Sequence, residues 1–257
     1  MFVHPCPPSE DLYRIYDEQY FGRGNKYFGS PQTDCRSHNS ANEDRRAALV
    51  KAHKSGGRLL DVGCATGGFL QAAARAGFAV QGIEISDFCV DYVKTHSTFD
   101  VFKGNLVSAR FPEQSYDGVT LWDVLEHLRN PREVLDEIHR ILRPGGILCL
   151  STGDHASFLA RVTGRFWHLL TPPQHLFFFS RRSVRILLEQ HGFIVRQIVY
   201  AGRTTTLDFV LFKGRESFGK IVKPIQAAAR LLKVGSVNLY VNTRDIMTCV
   251  AEKGPLR

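Results

Sequence analysis

The chain has 257 residues, 44% of them hydrophobic and 23% charged, a balance that excludes a disordered polyelectrolyte and suits a globular protein. That length allows one large α/β domain with a lid, or two small domains, and the single domain is the simpler reading. No apolar run approaches the roughly 18 residues of a membrane span. The opening Met-Phe-Val-His-Pro-Cys-Pro-Pro also lacks a charged-then-apolar signal pattern, so a cytoplasmic location is the default expectation.

The net charge of +8 is concentrated: residues 203–234 carry seven Lys/Arg against Asp208 and Glu216, so they supply five of those eight charges. Such a patch suits an anionic substrate, a membrane or nucleic-acid surface, or simply a solvated face.

Residues 1–40 are rich in Pro, Gly, Ser and aromatics, too apolar for plain disorder and too broken for a long helix. They form an N-terminal segment that either caps the ligand mouth or packs on the sheet edge. His4, Cys6, Cys35 and His38 within it match no zinc-knuckle spacing, and no metal is assigned. The cysteines at 6, 35, 64, 89, 149 and 249 form no Cys-x-x-Cys pair and read as free, mostly buried thiols.

From 41 onward the chain reads as one domain to residue 257. A helix starts near Ser40, capped by Ser40 or Asn42, and Gly56-Gly57 ends it. Strand 58–62 leads to helix 68–76, strand 78–84 to helix 87–95, and a weaker strand lies near 99–103. Strand 115–122 precedes a helix over 131–142 with Pro131 at its first position. The turn Arg143-Pro-Gly-Gly146 enters strand 146–152. After a loop-rich insertion (153–179) come a helix over 181–191, with Ser180 as its cap, and strands 193–200 and 246–252. The alternation predicts a parallel sheet with helices on both faces, and no repeat period interrupts it.

The stretch that organises this pattern is Arg58-Leu-Leu-Asp61-Val-Gly63-Cys-Ala65-Thr-Gly67-Gly68. An apolar run ends in an acid, a glycine-rich turn follows, and a helix opens at Gly68, the geometry that holds a nucleotide-like ligand against backbone N–H groups. The dinucleotide fingerprint wants glycine where Ala65 stands, because a pyrophosphate must approach the backbone there. An adenosine ligand without phosphates makes no such demand. Its amino-acid end would meet the turn, where N–H groups suit a carboxylate and Asp61 suits an ammonium. Glu84 lies 21 positions after Gly63 at the end of the second strand, where an acid can accept from both ribose hydroxyls. Ile85 beside it could cover one adenine face.

Leu60-Asp-Val-Gly-Cys-Ala-Thr-Gly67 resembles the first motif of class I S-adenosylmethionine-dependent methyltransferases. Trp122-Asp-Val-Leu-Glu-His-Leu128 is similar to the corresponding segment of the ubiquinone-type O-methyltransferases, and the Pro144-Gly-Gly turn and Gly192-Phe193 fit the same class. The likeness covers about residues 41–200 and the final strand. It implies a Rossmann-like α/β fold: a seven-stranded sheet in order 3-2-1-4-5-7-6, last strand antiparallel, helices on both faces. It also implies S-adenosyl-L-methionine as cofactor, Asn105 and Leu106 at the adenine, and Trp122 at the methionine end. The chain lacks the Asn/Asp-Pro-Pro-aromatic of methyltransferases that act on exocyclic amines of DNA bases.

The methyl donor is already activated, so the protein's task is to align donor and acceptor, exclude water and, for a hydroxyl acceptor, take a proton. Two histidines have the right context. His175 sits in Thr171-Pro-Pro-Gln-His-Leu-Phe-Phe-Phe-Ser180, stiffened by two prolines and anchored by three Phe, and is expected to serve as base or hydrogen-bond partner, or to pin the loop. His127 follows strand four, with Asp123, Glu126 and His127 at i, i+3 and i+4 on one side of a short helix. By resemblance, some ubiquinone-pathway relatives place a divalent metal on such a group; a structural or catalytic role is the alternative.

Residues 217–234 read as a basic amphipathic helix with Pro224 at its start or at a bend. It either lies peripherally on a membrane and lifts a lipid-linked acceptor or packs as a lid. Insertions 153–179 and 203–238 are expected to form that acceptor-side lid. The expected function is methyl transfer, O-directed, to a small-molecule, sugar or lipid-linked acceptor. The alternatives are an RNA-directed methyltransferase using residues 203–234 and an NAD-dependent oxidoreductase. No aromatic-studded nucleic-acid motif is present.

Overall fold

The computed structural model describes residues 1–3, 40–232 and 234–255. Its strands are β1 (Gly57–Val62), β2 (Phe78–Glu84), β3 (Asp100–Lys103), β4 (Tyr116–Trp122), β5 (Leu142–Gly153), β6 (Phe193–Val199), β7 (Arg203–Thr206), β8 (Asn238–Val241) and β9 (Ile246–Lys253). Its helices are α1 (Ser40–His53), α2 (Gly68–Arg75), α3 (Asp87–His96), α4 (Leu106–Ala109), α5 (Pro131–Ile141), α6 (Phe158–Thr163), α7 (Arg181–Gln190) and α8 (Leu207–Leu231). The cap expected over residues 1–40 and its His and Cys residues fall almost wholly outside the described residues. Only 1–3 and Ser40 are described there, and Val3 donates its N–H to the Leu176 carbonyl.

The main sheet has seven strands in the order β3-β2-β1-β4-β5-β9-β6. Counting β9 as its seventh strand gives the expected order. β9 runs antiparallel to both neighbours while the others are parallel. In register, Asp61 stands opposite Gly82 and Thr120, Trp122 opposite Ser151, and Gly153 opposite Ile246. The carboxyl ends of β1, β2, β4, β5 and β6 and the start of β9 therefore share one edge, where ligands of such sheets bind.

Period-two alternation places the core on both faces. Leu60, Val119, Leu121, Leu148 and Leu150 pack with Leu135, Ile138, Val184 and Leu188 of α5 and α7. Leu59, Trp122, Ile147 and Cys149 pack with Ala47, Val50, Phe69 and Ala73 of α1 and α2. Each fully buried leucine contributes about 1.5–3 kcal/mol of transfer free energy. Cys64, Cys89, Cys149 and Cys249 are free and buried, as read.

Local signals hold at the caps. Asn130 accepts from the Glu133 N–H ahead of Pro131, and Ser180 with Ser183 forms a capping box that opens α7. Four details differ. β5 begins at Leu142: Leu142 pairs with Tyr116 and Ile147 with Gly118, so the Arg143–Gly146 turn is a bulge within the strand pair. Asn42 does not cap α1; its side-chain amide donates to the Thr204 carbonyl (2.9 Å) and accepts from the Thr204 N–H (2.7 Å), tying β7 to the helix. β7 pairs with β8 as a separate two-stranded sheet. The helix expected over 217–234 spans Leu207–Leu231, with Pro224 inside it. It starts early because Leu207 and Asp208 N–H groups find the Val237 and Gly235 carbonyls, a long-range pairing that local pattern cannot show.

Candidate active site

After Asp61 the backbone turns through left-handed positions at Gly63 (φ 75°), Ala65 (φ 47°) and Gly67 (φ 81°). A Cβ on Gly63 would lie 2.7 Å from Val124 Cγ2, so only glycine suits both its backbone and its neighbour. Ala65 spends about 1–2 kcal/mol in this conformation, and a carboxylate holds it there. Glu84 Oε2 accepts from the Ala65 N–H (2.8 Å), while Oε1 accepts from the N–H groups of Ile85 (2.8 Å) and Ser86 (2.9 Å). Burial raises the Glu84 pKa, and those N–H groups oppose the rise. A carboxylate offers about four acceptor positions. With three filled, Glu84 has room for one more strong bond, not for an undivided pair from two ribose hydroxyls.

Asp61 is buried, and burial pushes its pKa up to about 8 against the hydrogen bond that Thr120 donates to Oδ1 (2.6 Å). Trp122 meets Phe69 edge to face at 5.2 Å, and its indole N–H is buried without a hydrogen-bond partner among the described residues. Over this indole stands Arg46 of α1, its guanidinium carbon 5.0 Å from the ring centroid. Arg46 also bridges Asp123 (2.8 Å) and Glu43 (3.3 Å). Burial would raise the Asp123 pKa, but the charges of Arg46 and Arg203 and the hydrogen bond from Ser151 hold it below the usual carboxylate range. An unpartnered buried N–H, a paired cation and three acids at one strand edge are a donor and acceptor set that fits a ligand carrying a diol, an ammonium and a carboxylate.

Asn105 is the N-cap of α4, its side-chain oxygen accepting from the Ser108 N–H (2.8 Å), so its amide nitrogen is the group left for a ligand. Leu106 is fully buried in the main core, which leaves its side chain a packing role. Ile85 is half-buried beside the Glu84 clamp.

The helix expected from Asp123 to His127 is a single 3-10 turn, Leu125–His127. Asp123 lies outside it in the left-handed region (φ 58°), held by its N–H bond to Ser151 Oγ (3.0 Å) and by Arg46, so Asp123, Glu126 and His127 do not share a helix face. The partner that joins Glu126 and His127 is His175. Each of the three offers a ligand atom within 4.8 Å of the others, a set that could hold a divalent metal as well as a proton. His127 Nδ1 donates to the Gln174 carbonyl (2.9 Å) and His175 Nδ1 to that of Leu169 (2.6 Å), which makes Nε2 the proton-accepting nitrogen in each neutral ring. Burial lowers both imidazole pKa values, and the charge of His127 lowers that of His175 further. Burial, then the charge of Asp123, pushes Glu126 up to about 7.

At the same edge opens a cavity of about 630 Å³. Asp123 and Ser151 line it at the ends of β4 and β5, with Val199 of β6, Thr248 of β9, and α1, α6 and α8 around them. Leu169, whose carbonyl accepts from His175, is part of the wall; His127 and His175 are not. A smaller cavity of about 250 Å³ between α2 and α3 touches Thr66 and Gly67 but neither Glu84 nor Trp122.

Sequence reasoning missed Arg46, Thr120 and Ser151, the residues that hold Trp122, Asp61 and Asp123. Arg46 carries no motif; its only signal is its place four residues after Asn42 in a helix with acids in its first turn. Among the described residues no helix is long and apolar enough to cross a membrane.

A family model described as a methyltransferase domain matches residues 36–198. The 24-methylenesterol C-methyltransferase 2 of Oryza sativa subsp. japonica is 35% identical over 150 residues, which cover 54% of this chain and 41% of that protein. The ubiquinone biosynthesis O-methyltransferase of Xanthomonas campestris pv. campestris (strain B100) is 29% identical over 174 residues, covering 64% of this chain and 72% of that one. The chain thus spans about two-fifths of the first curated relatives it matches. Two solved structures share the fold. A SAM dependent methyltransferase from Archaeoglobus fulgidus has a TM-score of 0.59 at 18% identity, over 85% of this chain and 96% of that one. The [4+2]-cyclase SpnF has a TM-score of 0.62 at 20% identity, over 97% and 98%.

Proposed function

The chain belongs to the class I S-adenosylmethionine-dependent methyltransferase family, and from that premise we propose that it methylates a hydroxyl of a small-molecule, sugar or lipid-linked acceptor. Bound S-adenosylmethionine supplies a methyl group already activated on a sulfonium. In this reading Glu84 pins the turn at Ala65 and accepts one ribose hydroxyl, with Ile85 and Asn105 at the adenine. Asp61 takes the ammonium, and Arg46 over Trp122 takes the carboxylate of the methionine end. The insertion carrying α6 and the segment carrying β7, α8 and β8 form the acceptor-side lid over the cavity beyond Asp123 and Ser151.

The observation that carries the O-directed reading is the neutral pair His127 and His175 beside Glu126, each ring with Nδ1 committed to a carbonyl. A neutral imidazole is the base a hydroxyl needs near pH 7, and His175, one bond from the cavity wall at Leu169, is assigned that role. His127 and Glu126 receive or share the proton. A second reading, transfer to carbon, has the support of the likeness to the sterol C-methyltransferase.

The family match sets the oxidoreductase reading aside. Against an RNA substrate stands the placement of Arg203 and Lys213 on a cavity wall, which favours a small ligand over a flat polyanion. Incubating the pure chain with labelled methyl donor and a cell extract, then locating the label in the product, tests the reading. Label on an oxygen supports it; label on carbon or nitrogen replaces it.

A further inference from the structure

The 630 Å³ cavity is unbalanced in two respects at once. Five cationic side chains line it (Arg45, Arg46, Arg203, Lys213 and Arg244) against the two carboxylates of Glu43 and Asp123. Those two acids are already engaged, since both bridge Arg46. Asp123 also feels the charge of Arg203, and among the described residues Arg45 and Arg244 form no ion pair with either wall acid. Arg45 is held by neutral groups, Asn42 Oδ1 (2.6 Å), Thr204 Oγ1 (2.7 Å) and the face of Tyr240 (5.3 Å to the centroid), so its charge is oriented but not cancelled. Arg203 and Arg244 are exposed at the rim, and neither forms an ion pair among the described residues.

Part of the remaining wall is apolar. Leu159 of α6 and Leu169 contribute to it, as do Phe209 and Val210 of α8 and Ile246 of β9. A volume of this size belongs to a drug-sized ligand rather than to an ion. Like charges around a low-dielectric concavity focus a positive potential, and guanidinium groups meet carboxylates and phosphates through paired hydrogen bonds.

We propose that the acceptor is an anionic amphiphile: its apolar body lies between Leu169 and Phe209, and its carboxylate or phosphate is held at the rim by Arg203 and Arg244. The inference rests on the methyltransferase reading for the word acceptor, but the binding site it assigns does not. The polar floor at Asp123 and Ser151, next to Trp122, is then where the reacting end of the molecule lies. Phosphate and carboxylate share the chemistry that the arginines recognise, and the test separates them.

Calorimetric titration of the full chain with monomeric dodecanoate, dodecyl phosphate and dodecanol reads the site directly. One or both acids should bind one per chain at least tenfold more tightly than the alcohol, with the tighter acid naming the headgroup. The pair Arg203→Ala and Arg244→Ala, at exposed positions, should remove that tenfold preference and leave dodecanol and S-adenosylhomocysteine binding unchanged. Equal affinity for acid and alcohol, no binding of either, or a preference that survives in the variant would overturn the proposal. Failure of S-adenosylhomocysteine to bind the native chain would instead strike the donor assignment and leave the amphiphile result standing.

Discussion

His127 and His175 meet edge to face with ring centroids 4.7 Å apart, one following β4 and the other in the loop before α7. Their Nδ1 atoms face separate carbonyls, so the pair presents two proton-accepting nitrogens next to the carboxyl of Glu126.

From this follows a split between turnover and binding. His175→Ala should lower kcat about 10²-fold or more, the usual worth of a general base, and leave S-adenosylhomocysteine affinity within twofold. Because burial holds both imidazoles below their ordinary pKa, the native rate should keep its plateau below pH 6.5 and fall only in more acid solution. Dialysis against EDTA should leave the rate unchanged. A loss restored by a divalent ion would show instead that Glu126, His127 and His175 hold a metal.

In the proposed reading Glu84 serves the ligand as well as the turn. Glu84→Ala removes the acceptor of three buried backbone N–H groups, so stability should fall by about 2–4 kcal/mol in denaturant titration. Donor affinity should drop more than tenfold in the same variant. A variant that binds the donor normally would remove Glu84 from the cofactor site.

With Asp61 at the ammonium of the donor, as proposed, donor binding should depend on pH. With a pKa of about 8 the apo chain holds a proton there at neutral pH, and an ammonium placed beside it favours the ionised form. Binding then releases a proton, so affinity should rise with pH up to about 8 and flatten above. Calorimetry in buffers of different ionisation enthalpy counts the proton. Asp61→Asn should abolish both the slope and the count.

Gly63 and Val124 test the packing of the turn. Gly63→Ala adds a Cβ 2.7 Å from Val124 Cγ2 at a left-handed φ, and should cost about 2–3 kcal/mol. Adding Val124→Ala should recover the contact part and leave about 1 kcal/mol of backbone strain. An unchanged thermal midpoint in the single variant would show that the turn relaxes freely.

What the sequence disclosed was what neighbours in sequence decide. The strand-turn-helix at Asp61–Gly68, the Glu84 spacing, Pro131 and Ser180 are all local chemistry, and each stands where it was read. Asp123 defeated the reading because its left-handed backbone is set by Ser151 and Arg46, which no periodicity brings near it. Arg46 was invisible for the same reason, since its role begins only when α1 crosses the end of β4. Pro224 was expected at the start or at a bend of its helix, yet α8 begins well before it and runs through it. His175 was legible as a residue held by its loop, but its meeting with Glu126 and His127 needed the fold.

In the proposed reading the turn after Asp61, clamped by Glu84, holds the methyl donor. Titrating the purified chain with S-adenosylhomocysteine in a calorimeter tests it most directly. One site per chain, weakened more than tenfold by Glu84→Ala and untouched by Arg203→Ala, is the predicted result. Heat that shows no saturable site, or a site indifferent to Glu84, would contradict it.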